Sequence, residues 1–236
     1  MKIALVGYGA MGKVVEQNVS ANEEIIGIVA PETGVSFADL TQKPEVIIDY
    51  SHPALFDSVY NYAVENNVPV VIATTGHSAE QVAKINELAT KVPVLYSGNY
   101  SLGVILLNRL VKQITPILKD SFDIEIIEKH HNKKADAPSG TAKMLVNSVN
   151  ANGDMNIVYG REGACKRQQY DVGVHAIRGG TIVGEHQVIY AGLDEVLTLT
   201  HQAHSKAIFA KGSLRGAHWL VKMPNGLYNM EDVLFN

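Results

Sequence analysis

Lys2-Ile3-Ala4-Leu5-Val6-Gly7-Tyr8-Gly9-Ala10-Met11-Gly12 decides how the rest of the chain is read. Lys2 to Val6 is a short apolar run with the pattern of a buried strand. Three glycines follow at once in the spacing GxGxxG. Lys13 to Ser20 then carries Val14, Val15 and Val19 at helical spacing, and Ile25 to Val29 is a second apolar strand. A lone GxGxxG is only a glycine-rich turn. Set between a strand and a helix, it reads as a dinucleotide-binding turn. Gly7 permits the tight turn, Gly9 lets the backbone approach a pyrophosphate, and Gly12 lets helix and strand pack closely. Gly7, Tyr8, Gly9, Ala10, Met11 and Gly12 are therefore candidate cofactor-binding residues.

Working outward, the alternation continues. Glu45 to Asp49 and Val68 to Ala73 read as strands, with a helix from Ala54 to Asn66 between them. Ser78 and Gln81 form a capping box for the next helix. Val92 to Tyr96 is a further strand. In an open parallel sheet, ligands lie outside the carboxyl ends of the strands. Ala73-Thr74-Thr75 and Ser97-Gly98-Asn99-Tyr100 fall there, and their small and hydroxyl side chains suit close approach to a flat ring. Glu32 lies twenty residues past Gly12. It is placed either to accept from an adenosine ribose 2′-OH or to be a plain loop carboxylate. No Arg or Lys occurs from Ala30 to Gln42, so nothing nearby cradles a 2′-phosphate except Lys13.

A long helix pattern from Ser101 to Leu118 leads into a second region. Phe122 to Glu128 alternates as a strand. It runs into Glu128-Lys129-His130-His131-Asn132-Lys133-Lys134-Ala135-Asp136-Ala137-Pro138-Ser139-Gly140-Thr141. Ser139 is a good N-cap, and the amides of Gly140 and Thr141 open a helix start suited to an anion. Imidazoles supply protons near neutral pH, and lysines supply fixed positive charge. The loop is thus equipped to hold a small carboxylate and protonate something beside it. A merely solvated loop is the plain alternative. A metal is not expected, because neighbouring histidines on a loop rarely converge on one ion and Cys165 is remote in sequence.

Three more strand patterns follow, Tyr170 to Arg178, Thr181 to Ala191 and Glu195 to His201. Gly179-Gly180 and Gly192-Leu193-Asp194 read as their hairpin turns. A helix from Ser205 through Val221 is expected to return to the first domain, and Pro224-Asn225-Gly226 turns the tail. The expected fold is α/β, with a Rossmann-type parallel-sheet domain and a second α+β domain holding an open mixed sheet. The first comprises residues 1–100 completed by 205–236; the second, 101–204, serves substrate binding and oligomerisation.

Composition excludes several classes. A net charge of −4 over 236 residues argues against a general nucleic-acid binder. Mean hydropathy is near zero. No stretch is expected to span a bilayer, and the run after Met1 is too short for a signal peptide. One cysteine excludes an internal disulfide and fits a reducing cytosol, so a cytoplasmic location is expected.

The Glu128–Thr141 stretch resembles the E-x-H-H-x-x-K-x-D-A-P-S-G-T signature of the dihydrodipicolinate (4-hydroxy-tetrahydrodipicolinate) reductase family of bacterial lysine biosynthesis. Ala73-Thr74-Thr75-Gly76, Ser97-Gly98-Asn99-Tyr100-Ser101 and Arg178-Gly179-Gly180-Thr181-Ile182-Val183-Gly184-Glu185-His186 fit the same family. The resemblance implies reduction of 4-hydroxy-tetrahydrodipicolinate in the diaminopimelate route to lysine. It implies His130 as the proton donor or acceptor and Lys134 as a second catalytic donor. His131, Lys134, Ser139, Gly140 and Thr141 would bind the dicarboxylate. It also implies a homotetramer built through the second domain's sheet. The glycine turn is one residue shorter than the family's commoner form and lacks its arginine. Use of both NADH and NADPH is therefore expected rather than strict NADPH use. Another NAD(P)-dependent dehydrogenase of amino or hydroxy acids would share the glycine turn but not the histidine loop. A non-catalytic dinucleotide-sensing module would have no need of that loop.

Overall fold

The computed structural model describes residues 1–236. In chain order the elements are β1 (Lys2–Val6), α1 (Ala10–Glu16), β2 (Glu24–Val29), β3 (Val46–Asp49), α2 (Phe56–Asn66), β4 (Val70–Ile72), α3 (Ala79–Ala89), β5 (Pro93–Tyr96) and α4 (Leu102–Leu118). Then come β6 (Asp123–His130), α5 (Gly140–Val149), β7 (Asn156–Tyr159), β8 (Asp171–Arg178), β9 (Gly184–Ala191), β10 (Val196–Ala203), α6 (Ala207–Leu220), β11 (Gly226–Tyr228) and α7 (Met230–Phe235). The chain divides into two units, Met1–Leu102 with Lys206–Asn236, and Gly103–Ser205.

In the first unit the continuous apolar strands give an all-parallel sheet in the order β11-β5-β4-β3-β1-β2. Such strands are buried on both faces, as parallel sheets require. Phe56, Val59, Ile85 and Leu88 of α2 and α3 cover one face over Ala4, Ile47, Val70 and Val94. Helices α1 and α6 pack together, and α6 also lies on β3, β4 and β5. It fits closely because Gly212 faces the Tyr100 carbonyl; a Cβ there would meet that oxygen at 1.7 Å. The expected Ser78–Gln81 capping box starts α3. Strand order reverses at β1, which has β2 on one side and β3 on the other, so the glycine turn leaves the sheet at the switch point. The tail adds two elements not anticipated, β11 beside β5 and α7, which begins with a capping box of Asn229 and Asp232.

The second unit is a five-stranded mixed sheet in the order β10-β9-β6-β8-β7. The Gly192–Asp194 turn is a hairpin as expected, closed by Gly192 N–H to the Glu195 carbonyl at 2.8 Å. The expected Gly179-Gly180 hairpin does not form. β8 and β9 are not neighbours, because β6 lies between them, parallel to β8 and antiparallel to β9. The short edge strand β7 was also not anticipated. One face of the sheet is sealed by α4 and α5, whose Leu107, Val111, Leu145 and Val149 meet Ile124, Ile126, Val172, Val188 and Tyr190. The Tyr190 hydroxyl bonds that of Thr115 at 2.7 Å. The opposite face carries no helix. Ile177 and Val196 are exposed, and an ion cluster centres on Glu125, which receives Arg161 at 2.8 and 2.9 Å and His175 at 2.8 Å.

Candidate active site

At the end of β1 the turn is made by backbone packing. Gly7 has φ +90°, in the region that favours glycine, and donates to the Val29 carbonyl at 2.9 Å. A Cβ on Gly7 would lie 2.5 Å from the Tyr50 carbonyl oxygen, and one on Gly12 would lie 2.2 Å from the Gly7 oxygen. Gly9 differs. It is the extended N-cap of α1, and a Cβ there would meet nothing within 4 Å. That open space, bare of side chain where α1 begins, fits a pyrophosphate held by backbone amides. Beside it, Tyr8 donates to Glu16 at 2.7 Å, and the Lys13 ammonium sits 5.4 Å from the centre of the Tyr8 ring. Just past β2 a cavity of roughly 390 Å³ is walled by Val29, Ala30, Val35, Phe37 and Leu55, a lining suited to a flat base. Glu32 is exposed on the same turn.

The other residues at the carboxyl ends divide into two kinds. Thr75, Gly98 and Ala10 are exposed. Thr74 and Tyr100 are buried. The Thr74 hydroxyl accepts from the Ser51 amide at 2.8 Å. The Tyr100 hydroxyl lies 2.8 Å from the Ile72 carbonyl and 3.0 Å from that of Leu95, and burial pushes it well above the usual phenol range. These two side chains brace the sheet ends, and both residues are almost wholly buried. Ser97 and Asn99 shape the turn, through the Ser97 hydroxyl to the Asn99 carbonyl at 2.9 Å and Asn99 Oδ1 to the Ser101 amide at 2.8 Å.

In the second unit the period of a strand puts Glu128 and His130 on the helix-covered face of β6, in line with Ile124 and Ile126. Sheet register then supplies their neighbours. Arg178 of β8 is opposite His130, and His186 of β9 is opposite Glu128. The Glu128 carboxylate is fully buried, His130 is 9% exposed and His186 5% exposed. Glu128 Oε2 meets His130 Nδ1 at 2.6 Å, while Oε1 accepts from the Ser139 amide at 2.9 Å. Arg178 forks onto both oxygens at 2.7 and 2.8 Å and also donates to the Asp136 carbonyl at 2.6 Å. Burial works to raise the Glu128 carboxyl, but Arg178, His130 and the Ser139 amide outweigh it and hold the group below its ordinary range.

Ser139 is the N-cap of α5, as expected, its hydroxyl accepting from the Ala142 amide at 3.2 Å. The same hydroxyl lies 3.0 Å from His186 Nε2, and the His130 and His186 rings meet edge to face at 5.2 Å. Burial first, then the charge of neighbouring His130, pushes His186 down to about 4, so it is neutral at physiological pH. Lys134 pairs with Asp136 at 2.7 Å, and His131 is partly exposed on the same loop. Gly140 is exposed and adds no side chain to the first turn of α5. The arrangement sets an imidazole, a lysine and an open helix start within one loop. Sequence reasoning gave no role to Glu128, Arg178 or His186. The last two lie in the Arg178–His186 segment, and alternation along β6 already puts Glu128 on the face of His130.

Two family models match the chain. One described as dihydrodipicolinate reductase, N-terminus, covers residues 1–100, and one described as dihydrodipicolinate reductase, C-terminus, covers 103–234. The chain is 43% identical to the 4-hydroxy-tetrahydrodipicolinate reductase of Clostridium novyi (strain NT), over 99% of this chain and 98% of that one. It is 39% identical to the protein of the same name from Brachyspira hyodysenteriae (strain ATCC 49526 / WA1), over 99% of this chain and 100% of that one. Among solved structures, dipicolinate-bound dihydrodipicolinate reductase from Paenisporosarcina sp. TG-14 shares the fold, with a TM-score of 0.81, 24% identity and 99% of each chain covered. No helix is long and apolar enough to cross a membrane. Matched along both halves of its length, the chain belongs to the dihydrodipicolinate reductase family.

Proposed function

We propose that the chain reduces 4-hydroxy-tetrahydrodipicolinate to tetrahydrodipicolinate with NADH or NADPH, in diaminopimelate and lysine biosynthesis. Family membership supports the reaction. The observation that carries the site assignment is that one carboxylate, Glu128, ties the His130 imidazole to the start of α5. The first unit would hold the dinucleotide through Gly7 to Gly12, together with Ala73–Thr75 and Ser97–Tyr100. The nicotinamide supplies the hydride. The second unit holds the substrate. Gly140 and Thr141 take one carboxylate at the helix start that Ser139 caps, Lys134 adds positive charge, and His131 stands on the same loop. Loss of water, the ring hydroxyl leaving together with a proton from the adjacent ring carbon, gives a conjugated imine. As hydride arrives, negative charge develops toward the ring nitrogen, and His130, with Lys134 as second donor, supplies the proton that quenches it.

Two finer readings accompany this one. The helix-free face of the second sheet, with Ile177 and Val196 exposed, is covered by further copies of the chain in a homotetramer. Light scattering at micromolar concentration reads the assembly, and a monomer overturns it. Glu32 accepts from a ribose 2′-OH and repels a 2′-phosphate, so NADH serves at least as well as NADPH. The reaction is tested by generating the unstable substrate in situ and following NADH and NADPH oxidation. Absence of turnover with both overturns the proposal.

A further inference from the structure

Glu128 has no role in the reaction as just described, yet it is the most completely enclosed charge in its unit. Burying a carboxylate is costly unless it is paired, and even a paired one is often no more stabilising than apolar residues of the same volume. Its partners are therefore informative. Oε1 receives two donors that have no other form, Arg178 Nη2 and the Ser139 amide. Oε2 receives Arg178 Nη1 and faces His130 Nδ1, the one neighbour whose proton can move. On the far side of the ring, His130 Nε2 lies beside Gly184, where an added Cβ would come within 3.2 Å. Glycine at that position leaves the Nε2 edge uncrowded.

We infer that Glu128 is the positioning residue for His130, holding a proton on Nδ1 so that Nε2 is the nitrogen that gives and takes protons. Arg178 and the Ser139 amide fix the carboxylate, and the carboxylate fixes the ring. A neutral His130 then carries its hydrogen on Nδ1, and the protonated ring donates from Nε2. The inference rests on His130 being the proton donor of the proposed reaction, but its primary test does not.

That test is the tautomer of neutral His130, read by ¹⁵N NMR on the substrate-free protein. The expected form is Nδ1–H; finding Nε2–H overturns the inference without any variant. Glu128→Gln sharpens it. The amide NH₂ cannot sit at the Oε1 position, where both neighbours only donate. At the Oε2 position it displaces only the Arg178 Nη1 bond and faces His130, which turns Nδ1 into an acceptor and moves the hydrogen to Nε2. The expected result is that tautomer switch together with a kcat lower by roughly 10²–10⁴, the scale for losing a positioned proton carrier. The KM for the dinucleotide stays within threefold. Arg178→Lys keeps the carboxylate, so it retains the Nδ1–H form and loses less kcat than Glu128→Gln. An unchanged tautomer in Glu128→Gln overturns the inference, as does an Arg178→Lys loss equal to that of Glu128→Gln, which would make the group a loop pin only. Failure of the reaction reading shows separately, as absent turnover in the unaltered protein.

Discussion

At the end of β1, a methyl group on Gly12 would press to 2.2 Å against a backbone oxygen, and the turn exists because that methyl is missing. At the end of β6 the opposite holds: two imidazoles, a carboxylate and a guanidinium crowd together in an enclosed space. The first region is shaped by sterics, which do not change with pH or salt. The second is shaped by protons and charge, which do. The glycines that make the steric site lie close to one another in sequence, although Gly7 packs against Tyr50 and bonds Val29. The electrostatic site is assembled from three strands and depends on their register.

The largest effect should come from the charged region alone. His130→Ala and Lys134→Ala are each expected to lower kcat by ~10²–10⁴, while dinucleotide affinity stays within a few-fold. Paired kinetics and binding titrations check this, and a joint loss of both quantities would break the separation between the two regions.

Next is acid. His186 is pushed down to about 4 from an ordinary 6.5. Below 6.5 the unfolded chain takes up a proton that the folded one refuses until about 4. Stability is therefore fully present above that window and falls as pH drops through it, by up to about 3 kcal/mol at roughly 1.4 kcal/mol per pH unit. His201, also held down by burial, acts in the same direction. Glu128, held low, adds its own loss only at more acid pH. Thermal midpoints from pH 7 to 4.5 should fall, and less steeply in His186→Gln. An equal slope in both proteins would remove His186 from the account.

The glycines sharpen the steric side. Gly12→Ala is expected to destabilise by roughly 1–3 kcal/mol, since backbone cannot yield as a side chain can. Gly9→Ala should leave the melting temperature unchanged or slightly raised, because its extended backbone suits alanine, while weakening dinucleotide binding. Melting curves and NADH titrations of the two variants should thus give opposite patterns. The smallest expected effect is cofactor choice. NADH and NADPH should differ by about 1–2 kcal/mol in kcat/KM, the scale of one charged hydrogen bond, measured at one ionic strength because salt screens a phosphate contact. A preference for NADPH above about a hundredfold would exclude the Glu32 contact.

The same contrast explains what could be read in advance. The β1 turn, the Ser78–Gln81 box and the Ser139 cap are local signals, and each forms as its own few residues require. The Gly179-Gly180 pair was misleading for the same reason: a turn signal says that the chain reverses, not which strand it meets. Inserting β6 between β8 and β9 is a long-range choice made by burial. It is also what gives the candidate site its shape. With β6 central, Arg178 reaches it from one side and His186 from the other. A direct β8–β9 hairpin would have left Glu128 with at most one of them. The short strands β7 and β11 escaped because so few residues carry no periodicity of their own.

The first unit is interrupted in sequence, its sheet edge β11 and its packing helix α6 being encoded after the whole of the second unit. A chain leaving the ribosome therefore exposes Gly103–Ser205 while β5, already beside β4, still lacks β11. The usual order, in which the N-terminal part folds first, is inverted here. The second unit can bury its core during synthesis, whereas the nucleotide-type sheet stays unfinished until α6 and β11 emerge. A bare parallel edge in that interval is open to pairing with other nascent chains.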